Sequence, residues 1–207
     1  MEQRATDLFE KEPELAEVDF EAEVVETYIC GNPPYRGYSL LTDLQKSDVR
    51  FALDGKFENE GFLDYISGWF SKASRYGSHT PTACALVSTN SICQGQVVSI
   101  LWHILLQGGH EIAFAYSSFK WSNLASNNAG VTVVIIGLSI NPKGPRRLFN
   151  TDENGAVTVR EVANINAYLV PAANVIVEKR SGTLSGLTEM DYGSKPVDGG
   201  NLLLAPS

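Results

Sequence analysis

Apolar residues along the middle of the chain follow two different patterns, which occur in turn. Short runs rich in β-branched residues predict strands, whereas apolar residues three or four positions apart predict amphipathic helices. In chain order the pattern predicts a strand at 24–29, a helix at 62–76, a strand at 82–89, a helix at 95–106 and strands at 111–116 and 131–138. Strands interleaved with helices in this way indicate part of an open α/β sheet with helices on its faces.

Three details extend this prediction. The nearly continuous apolar run at 82–89 is expected of a strand that is buried on both faces. Within the first long helix, we expect Trp69 to pack in the core. The polar loop at 117–130 does not supply the crossover helix that parallel neighbours require, so the last two strands are expected to be antiparallel.

The character of the chain changes beyond Asn141. Pro142 and the pair Gly144-Pro145 interrupt the pattern, and Asn154-Gly155 is typical of a hairpin turn. We therefore expect a second, smaller structural unit in this part of the chain. The predicted organisation is an acidic lead-in at 1–20, the main α/β unit at 21–141 and a C-terminal unit at 142–207.

The net charge of -8 is concentrated at the amino-terminal end of the chain. Residues 1–26 hold ten acidic and two basic side chains, and the remaining 181 residues are neutral, with 14 side chains of each sign. The overall charge therefore does not exclude a nucleic-acid partner. Basic side chains cluster at Lys143, Arg146 and Arg147, which can meet phosphate groups if the fold places them on one face. The alternative is an ordinary solvated surface.

The sequence predicts neither a membrane segment, nor a secretion signal, nor a metal site. Its longest apolar stretch, near 131–136, is far below the roughly 20 residues of a membrane helix. Three cysteines at irregular spacing match neither a zinc pattern nor a disulfide framework. The three histidines also lack the spacing of metal ligands. We expect a cytoplasmic protein with no metal in this segment.

The most informative feature is the tetrapeptide Asn32-Pro33-Pro34-Tyr35, which closely follows the first predicted strand. The Asn32 side chain and the Pro33 carbonyl can accept hydrogen bonds, the prolines donate none, and Tyr35 offers a flat aromatic face. Two acceptors directed at one NH₂ group hold both of its hydrogens and favour electron density on the nitrogen, as methyl transfer requires. The ring can stack on the extruded base. The alternative is an ordinary turn.

This tetrapeptide resembles the fourth motif of adenine-N6 and related amino methyltransferases, and the resemblance extends well beyond it. The MmeI-like group comprises single-chain restriction-modification enzymes that join a nuclease, a methyltransferase and a target-recognition domain. Segments that look like this group are GNPPYRG (31–37), LDYISGWFSKA (63–73), ALVSTNSICQGQ (85–96), FKWSN (119–123) and AGVTVVIIGL (129–138). INAYLV (165–170) and DGGNLLL (198–204) look like the lead into the recognition domain.

The resemblance implies a fold, a partner and a set of site residues. The fold is part of a Rossmann-like class I S-adenosylmethionine-dependent methyltransferase sheet, strands 4 to 7, with a small C-terminal extension. The partner is double-stranded DNA with a flipped adenine, whose amine is held by Asn32 and Pro33 and whose two faces stack on Tyr35 and Phe119. Pro34 completes the catalytic motif with these residues. Other candidates are Lys120, Trp121, Lys143, Arg146 and Arg147 for substrate or DNA contact, and Phe70 for the cofactor's adenine. For Phe70 the alternative is a place in the core.

One part of the family pattern is missing from the sequence. These enzymes bind S-adenosylmethionine mainly through a glycine-rich turn that precedes the Asn-Pro-Pro-Tyr motif, but the first glycine here is Gly31. We therefore expect a fragment or truncated product of a larger restriction-modification polypeptide, inactive in methyl transfer by itself. Two other functions stay open, namely a methyltransferase acting on RNA or on protein glutamine, and a non-catalytic DNA-binding remnant.

Overall fold

A computed structural model describes residues 27–55, 62–120, 131–152, 155–178 and 186. Its strands are β1 (Thr27–Gly31), β2 (Thr82–Thr89), β3 (His110–Lys120), β4 (Thr132–Ile140), β5 (Arg146–Thr151) and β6 (Val157–Val162). Its α-helices are α1 (Asp43–Ala52), α2 (Ile66–Gly77), α3 (Gly95–Val97) and α4 (His103–Gln107), with a π-helical segment (Val98–Trp102) between the last two. The predicted acidic lead-in lies outside the described residues.

The six strands form one sheet in the order β1-β2-β4-β3-β5-β6. β1 and β2 are parallel, and β4 runs antiparallel to both β2 and β3. The predicted α/β sheet and the antiparallel pairing of β3 with β4 are therefore confirmed. The predicted loop at 117–130 is too long, because β3 continues to Lys120 and pairs there with Thr132.

The helices that follow β1 and β2 cover the central strands. α2 packs against β2 and β4, α4 packs against β3 and also contacts α2, and α1 packs beside α2. Side chains of β2 are alternately buried and half-buried. The prediction that β2 is buried on both faces is therefore wrong, because only one of its faces is fully covered in this structure.

The core is built around large side chains of the helices. Phe70 and Trp102 are completely buried, and the Trp102 indole donates a hydrogen bond to the Ile92 carbonyl at 2.8 Å. Trp69 was expected in the core, but 47% of its surface is exposed. The reason is that α2 buries the stripe formed by Ile66, Phe70, Ala73 and Gly77, and Trp69 lies beside that stripe, facing α1.

Glycine and capping residues set the ends of the helices. α4 ends at Gln107, one residue beyond the predicted helix at 95–106, with Gly108 as its C-cap and Gly109 at φ 79°. α1 begins with a capping box in which Thr42 and Gln45 bond each other's backbone N–H groups. This box fixes the chain only seven residues after Tyr35.

The C-terminal hairpin extends the same sheet. β5 pairs in parallel with β3 and antiparallel with β6, which confirms the predicted hairpin. Its turn contains Gly155 at φ 82°, whereas Asn154 lies outside the described residues. The predicted boundary at residue 141 does not coincide with an edge of the sheet, because β5 and β6 continue it.

No helix in the described part of the chain is both long enough and apolar enough to cross a membrane.

Candidate functional site at the carboxyl edge of the sheet

The strand directions bring several predicted residues to one edge of the sheet. β1, β2 and β3 all end at this edge, and β4 begins there, because β4 runs antiparallel to β2 and β3. The tetrapeptide that begins with Asn32 directly follows β1. Thr89 is the last residue of β2, and Phe119 is the last residue but one of β3. In open α/β sheets, ligands bind at the carboxyl ends of the strands.

The tetrapeptide itself has a defined geometry. Pro33 is buried, Asn32 and Pro34 are exposed, and Tyr35 is half-buried with its ring packed against the core. The Tyr35 hydroxyl donates a hydrogen bond to Asn32 Oδ1. Burial raises the pKa of the Tyr35 phenol above its usual value of 10.0, so the hydroxyl keeps its proton at neutral pH. The motif thus presents an amide oxygen and an aromatic face side by side.

The backbone after Tyr35 is fastened by the segment that precedes α2. The Tyr38 N–H donates to Asp64 Oδ1 at 3.0 Å, and the Tyr65 N–H donates to the Arg36 carbonyl at 2.9 Å. The other carboxylate oxygen of Asp64 accepts from Ser91 Oγ at 2.8 Å. Sequence analysis missed Asp64, because its partners lie 26 and 27 residues away and no local pattern connects them.

A cavity of about 540 Å³ opens beside the motif. This volume falls within the roughly 300–1,000 Å³ that is typical of small-molecule sites. Its walls carry one aromatic ring, one cation, one carboxylate and two hydroxyl groups, which belong to Tyr35, Arg36, Asp64, Thr89 and Ser91. This arrangement can hold a planar group with polar edges.

Phe119 lies at the same edge, on β3, which is separated from β1 by the two strands β2 and β4. Three strand spacings separate β1 from β3, which is roughly 14 Å between backbones. The pairing of β3 with β4 shifts register between Tyr116 and Phe119, an irregularity of the kind that redirects side chains near functional sites. Phe119 is half-buried, with its ring edge-on to that of Tyr116 at a centroid distance of 6.5 Å. Lys120 is exposed, and Trp121 lies outside the described residues.

The basic cluster predicted for DNA contact does not lie at this edge. Arg146 begins β5, next to the start of β3, and its guanidinium forms an ion pair with Glu111 at 2.6 Å. It also donates to the carbonyls of Pro142 and Gly144, and only 12% of its side chain is exposed. In this structure the guanidinium ties the β4–β5 turn to β3, and a contact of Arg146 with DNA stays a prediction.

The neighbours of Arg146 also lie away from the motif. Lys143 is exposed on the turn between β4 and β5, at the amino end of β2, and Arg147 is exposed within β5, where it pairs with Phe114. Strand direction places this turn at the edge of the sheet opposite the tetrapeptide. Both residues remain candidates only for a separate DNA contact.

The other groups considered for chemistry serve the fold. Phe70 is enclosed on all sides, so it occupies the core position that was its alternative interpretation. Burial raises the pKa of Cys84 to about 11 and lowers that of His110, whose ring bonds Ser74 Oγ at 3.2 Å. Among the residues that the structure describes, no three His, Cys, Asp or Glu side chains are grouped so as to hold a metal ion.

Comparison with known proteins gives the family. The profile of the MmeI DNA-methyltransferase domain matches residues 4–150. The chain belongs to this MmeI DNA-methyltransferase family. It is 45% identical over 179 residues to "DNA methyltransferase A" of Bacillus subtilis (strain 168), a match that covers 86% of this chain and 20% of that protein.

A solved structure supports the same assignment. The chain is similar to the Type IIL restriction-modification enzyme MmeI in complex with DNA, with a TM-score of 0.78 and 40% sequence identity. The match covers 84% of this chain and 24% of that enzyme. The chain thus spans about a fifth to a quarter of these relatives, and the sheet is part of a Rossmann-like methyltransferase fold with a small C-terminal extension.

Proposed function

We propose that the carboxyl edge of this sheet binds a flipped adenine of double-stranded DNA and orients its N6 amine for methylation, within a larger restriction-modification polypeptide. The observation that carries this proposal is the placement of Asn32-Pro33-Pro34-Tyr35 at the end of β1. There an exposed amide oxygen and an aromatic ring stand beside a cavity at the ligand-binding edge of the sheet.

The acceptors of the motif match the two hydrogens of an exocyclic amine. Asn32 Oδ1 has two lone pairs, and the Tyr35 hydroxyl uses one of them, so the other can accept from N6–H. The Pro33 carbonyl is the second acceptor, and proline has no N–H that would compete. Both bonds favour electron density on N6. With Asn32 and Pro33 holding the amine, N6 would accept a methyl group directly from the sulfonium of bound S-adenosylmethionine, without a covalent enzyme intermediate. The proton that N6 loses would pass to solvent.

Stacking supplies the remaining hold on the base. Tyr35 provides one face, and we assign the opposite face to Phe119, which lies at the same edge of the sheet. Base–aromatic stacking contributes about 1–3 kcal/mol per base, which helps to offset the unstacking of the flipped nucleotide. Lys120 and Trp121 follow Phe119 in the chain and stay candidates for contact with the DNA.

S-adenosylmethionine is the methyl donor that a methyltransferase of this family requires. Phe70, which the resemblance places near the cofactor's adenine, has its side chain fully enclosed in the core. The thirty residues that precede Gly31 contain no glycine. We therefore propose that the main binding turn for this cofactor belongs to another part of the parent polypeptide, while this chain contributes the edge that faces the target base.

The test is the identity of the methylated product. The complete protein that contains this chain is incubated with double-stranded DNA and radiolabelled S-adenosylmethionine, and the DNA is digested to nucleosides for mass spectrometry. We expect N6-methyladenine. Transfer to RNA or to protein glutamine instead of DNA would overturn the proposal in favour of those substrates. Salt-dependent DNA binding without any transfer would favour a non-catalytic remnant.

A further inference from the structure

We infer that Asp64 is a positioning residue for the base-binding loop, because its carboxylate joins the backbone after Tyr35 to the end of β2. This inference rests on the proposed function of that loop. Asp64 stands just before α2 and was not among the residues expected to act at the site. It does not touch the reacting atoms in this proposal and acts only through the segment that it holds.

The base-binding loop is held by the buried Pro33 and the packed Tyr35 ring within it, and by backbone hydrogen bonds at its end. Residues 32–37 belong to no helix or strand, and Asn32, Pro34 and Arg36 are exposed. Two hydrogen bonds fix the backbone just beyond Tyr35, namely Tyr38 N–H to Asp64 Oδ1 at 3.0 Å and Tyr65 N–H to the Arg36 carbonyl at 2.9 Å. Both anchoring groups come from the consecutive residues 64 and 65.

The second oxygen of the carboxylate extends the link across the cavity. Asp64 Oδ2 accepts from Ser91 Oγ at 2.8 Å, and that hydroxyl lies 2.7 Å from Thr89 Oγ1 at the end of β2. Hydrogen bonds to an ionised carboxylate are stronger than neutral ones. One half-buried side chain therefore couples the loop after β1 to the carboxyl end of the neighbouring strand, and all of these groups line the same cavity.

These hydrogen bonds of Asp64 are expected to fix the position of the Tyr35 ring. Tyr35 lies one residue before the bonded Arg36 carbonyl and three residues before the bonded Tyr38 N–H. If the hydrogen bond of Tyr38 were lost, the Tyr35 ring and Asn32 could shift together. A misplacement of about 1 Å at a catalytic constellation can reduce the rate roughly 100-fold. The segment around Asp64 has independent support from Leu63 and Ile66, which are 0% and 1% exposed. Loss of the carboxylate is thus expected to loosen the loop without unfolding the core.

The test combines hydrogen exchange with single-turnover kinetics in the complete protein. We expect Asp64→Ala to accelerate exchange of the Tyr38 amide about 10-fold or more and to reduce the methylation rate at saturating DNA about 10- to 100-fold. The dissociation constant for DNA should change less than about 3-fold. Asp64→Asn should restore part of both properties, because its oxygen still accepts from Tyr38 and its NH₂ can donate to Ser91 Oγ.

Two further variants separate positioning from general stability. Glu111→Ala removes a carboxylate from the ion pair with Arg146 at the opposite edge, and it should leave the Tyr38 amide and the methylation rate unchanged. Ser91→Ala should reproduce a milder form of the Asp64→Ala effect. The inference would be overturned if Asp64→Ala kept the wild-type exchange of the Tyr38 amide and the wild-type methylation rate. It would also be overturned if Glu111→Ala changed both as much as Asp64→Ala does. If the wild-type protein methylates no adenine, the proposed function fails, and the exchange result alone decides whether Asp64 holds the loop.

Discussion

At the scale of single residues, Tyr35 combines two properties that can be separated by mutation. Its ring lines the cavity at the carboxyl edge, whereas its hydroxyl donates to Asn32 Oδ1. The ring is the part that stacks on a base in the proposed function. The hydroxyl occupies one lone pair of the Asn32 oxygen and leaves the other for the target amine, so it does not itself contact the base in the proposed function. Ring and hydroxyl should therefore contribute unequally to activity.

Two substitutions at this position test that difference. Tyr35→Phe keeps the ring and releases the Asn32 oxygen, so the methylation rate of the complete protein should stay within about 3-fold of wild type. Tyr35→Ala removes the stacking face and should lower kcat/KM about 10- to 100-fold, in line with the stacking energy per base. Steady-state methylation of an oligonucleotide measures both. A larger loss in Tyr35→Phe than in Tyr35→Ala would contradict the stacking role.

The tetrapeptide could be located from the sequence because its chemistry is contained in consecutive residues. Asn32, Pro33 and Tyr35 are neighbours in the chain, and their place at the end of a strand follows from the local pattern. Asp64 could not be found in this way, since its role depends on partners more than 25 residues distant. The ion pair between Arg146 and Glu111 could not be found either, since these residues lie 35 positions apart in the chain.

At the scale of elements, the pairing of β3 with β4 requires a glycine at one position. Gly137 lies opposite Phe114, and a Cβ atom added to Gly137 would stand 2.2 Å from Phe114 Cε1. The Phe114 ring is itself held edge-on against Phe149 of β5 at a centroid distance of 6.4 Å. The ring therefore covers the glycine and connects three adjacent strands of the sheet.

This arrangement predicts strong coupling between the two positions. Gly137→Ala should lower the free energy of unfolding by about 1–3 kcal/mol, because the methyl group overpacks the space that the ring fills. In a Phe114→Leu background, Gly137→Ala should lower the free energy of unfolding by less than it does in the wild-type protein. The difference between the two losses is the coupling energy of the two positions. Denaturant unfolding of the single and double variants provides these values. Additive effects would show that the ring does not enforce the glycine.

The elements themselves were largely predictable, and the errors have identifiable causes. β2 matches the predicted range of 82–89 because its apolar run is bounded by polar residues. β3 extends four residues beyond the predicted end, to Lys120, because pairing with β4 overrides the polar character of this part of the sequence. Trp69 was misjudged because helical periodicity identifies a stripe but does not fix its width.

At the scale of the whole molecule, the described residues form one sheet covered by helices, and the chain spans only a fraction of its relatives' length. It covers 20% of the Bacillus subtilis DNA methyltransferase A and 24% of the MmeI structure. The α/β sheet and the antiparallel pairing of β3 with β4 could be predicted from the apolar pattern, and the family from the resemblance around Asn32. The continuation of the sheet past residue 141 could not be predicted, because proline and glycine residues occur both at turns within a domain and at domain boundaries.

In the proposed function, this chain faces the target base and another part of the polypeptide supplies the cofactor-binding turn. This proposal predicts the outcome of a cofactor titration. Because residues 1–30 contain no glycine, the glycine-rich turn of these enzymes should come from elsewhere, and this 207-residue chain should show no detectable binding of S-adenosylmethionine in calorimetry. The complete protein, titrated under the same conditions, should bind it. One-to-one binding by the chain alone would show that it holds the cofactor without that turn.

The measurement that tests the central claim most directly is the single-turnover methylation rate of Asn32→Ala in the complete protein. If Asn32 Oδ1 holds the target amine, the rate should fall about 100-fold or more, as expected for loss of a preorganised polar contact to the reacting group. The fold should be unchanged, since Asn32 is exposed. Asn150→Ala, an exposed asparagine of β5, serves as the matched control. A near-normal rate in Asn32→Ala would contradict the assignment of this edge as the base-binding site.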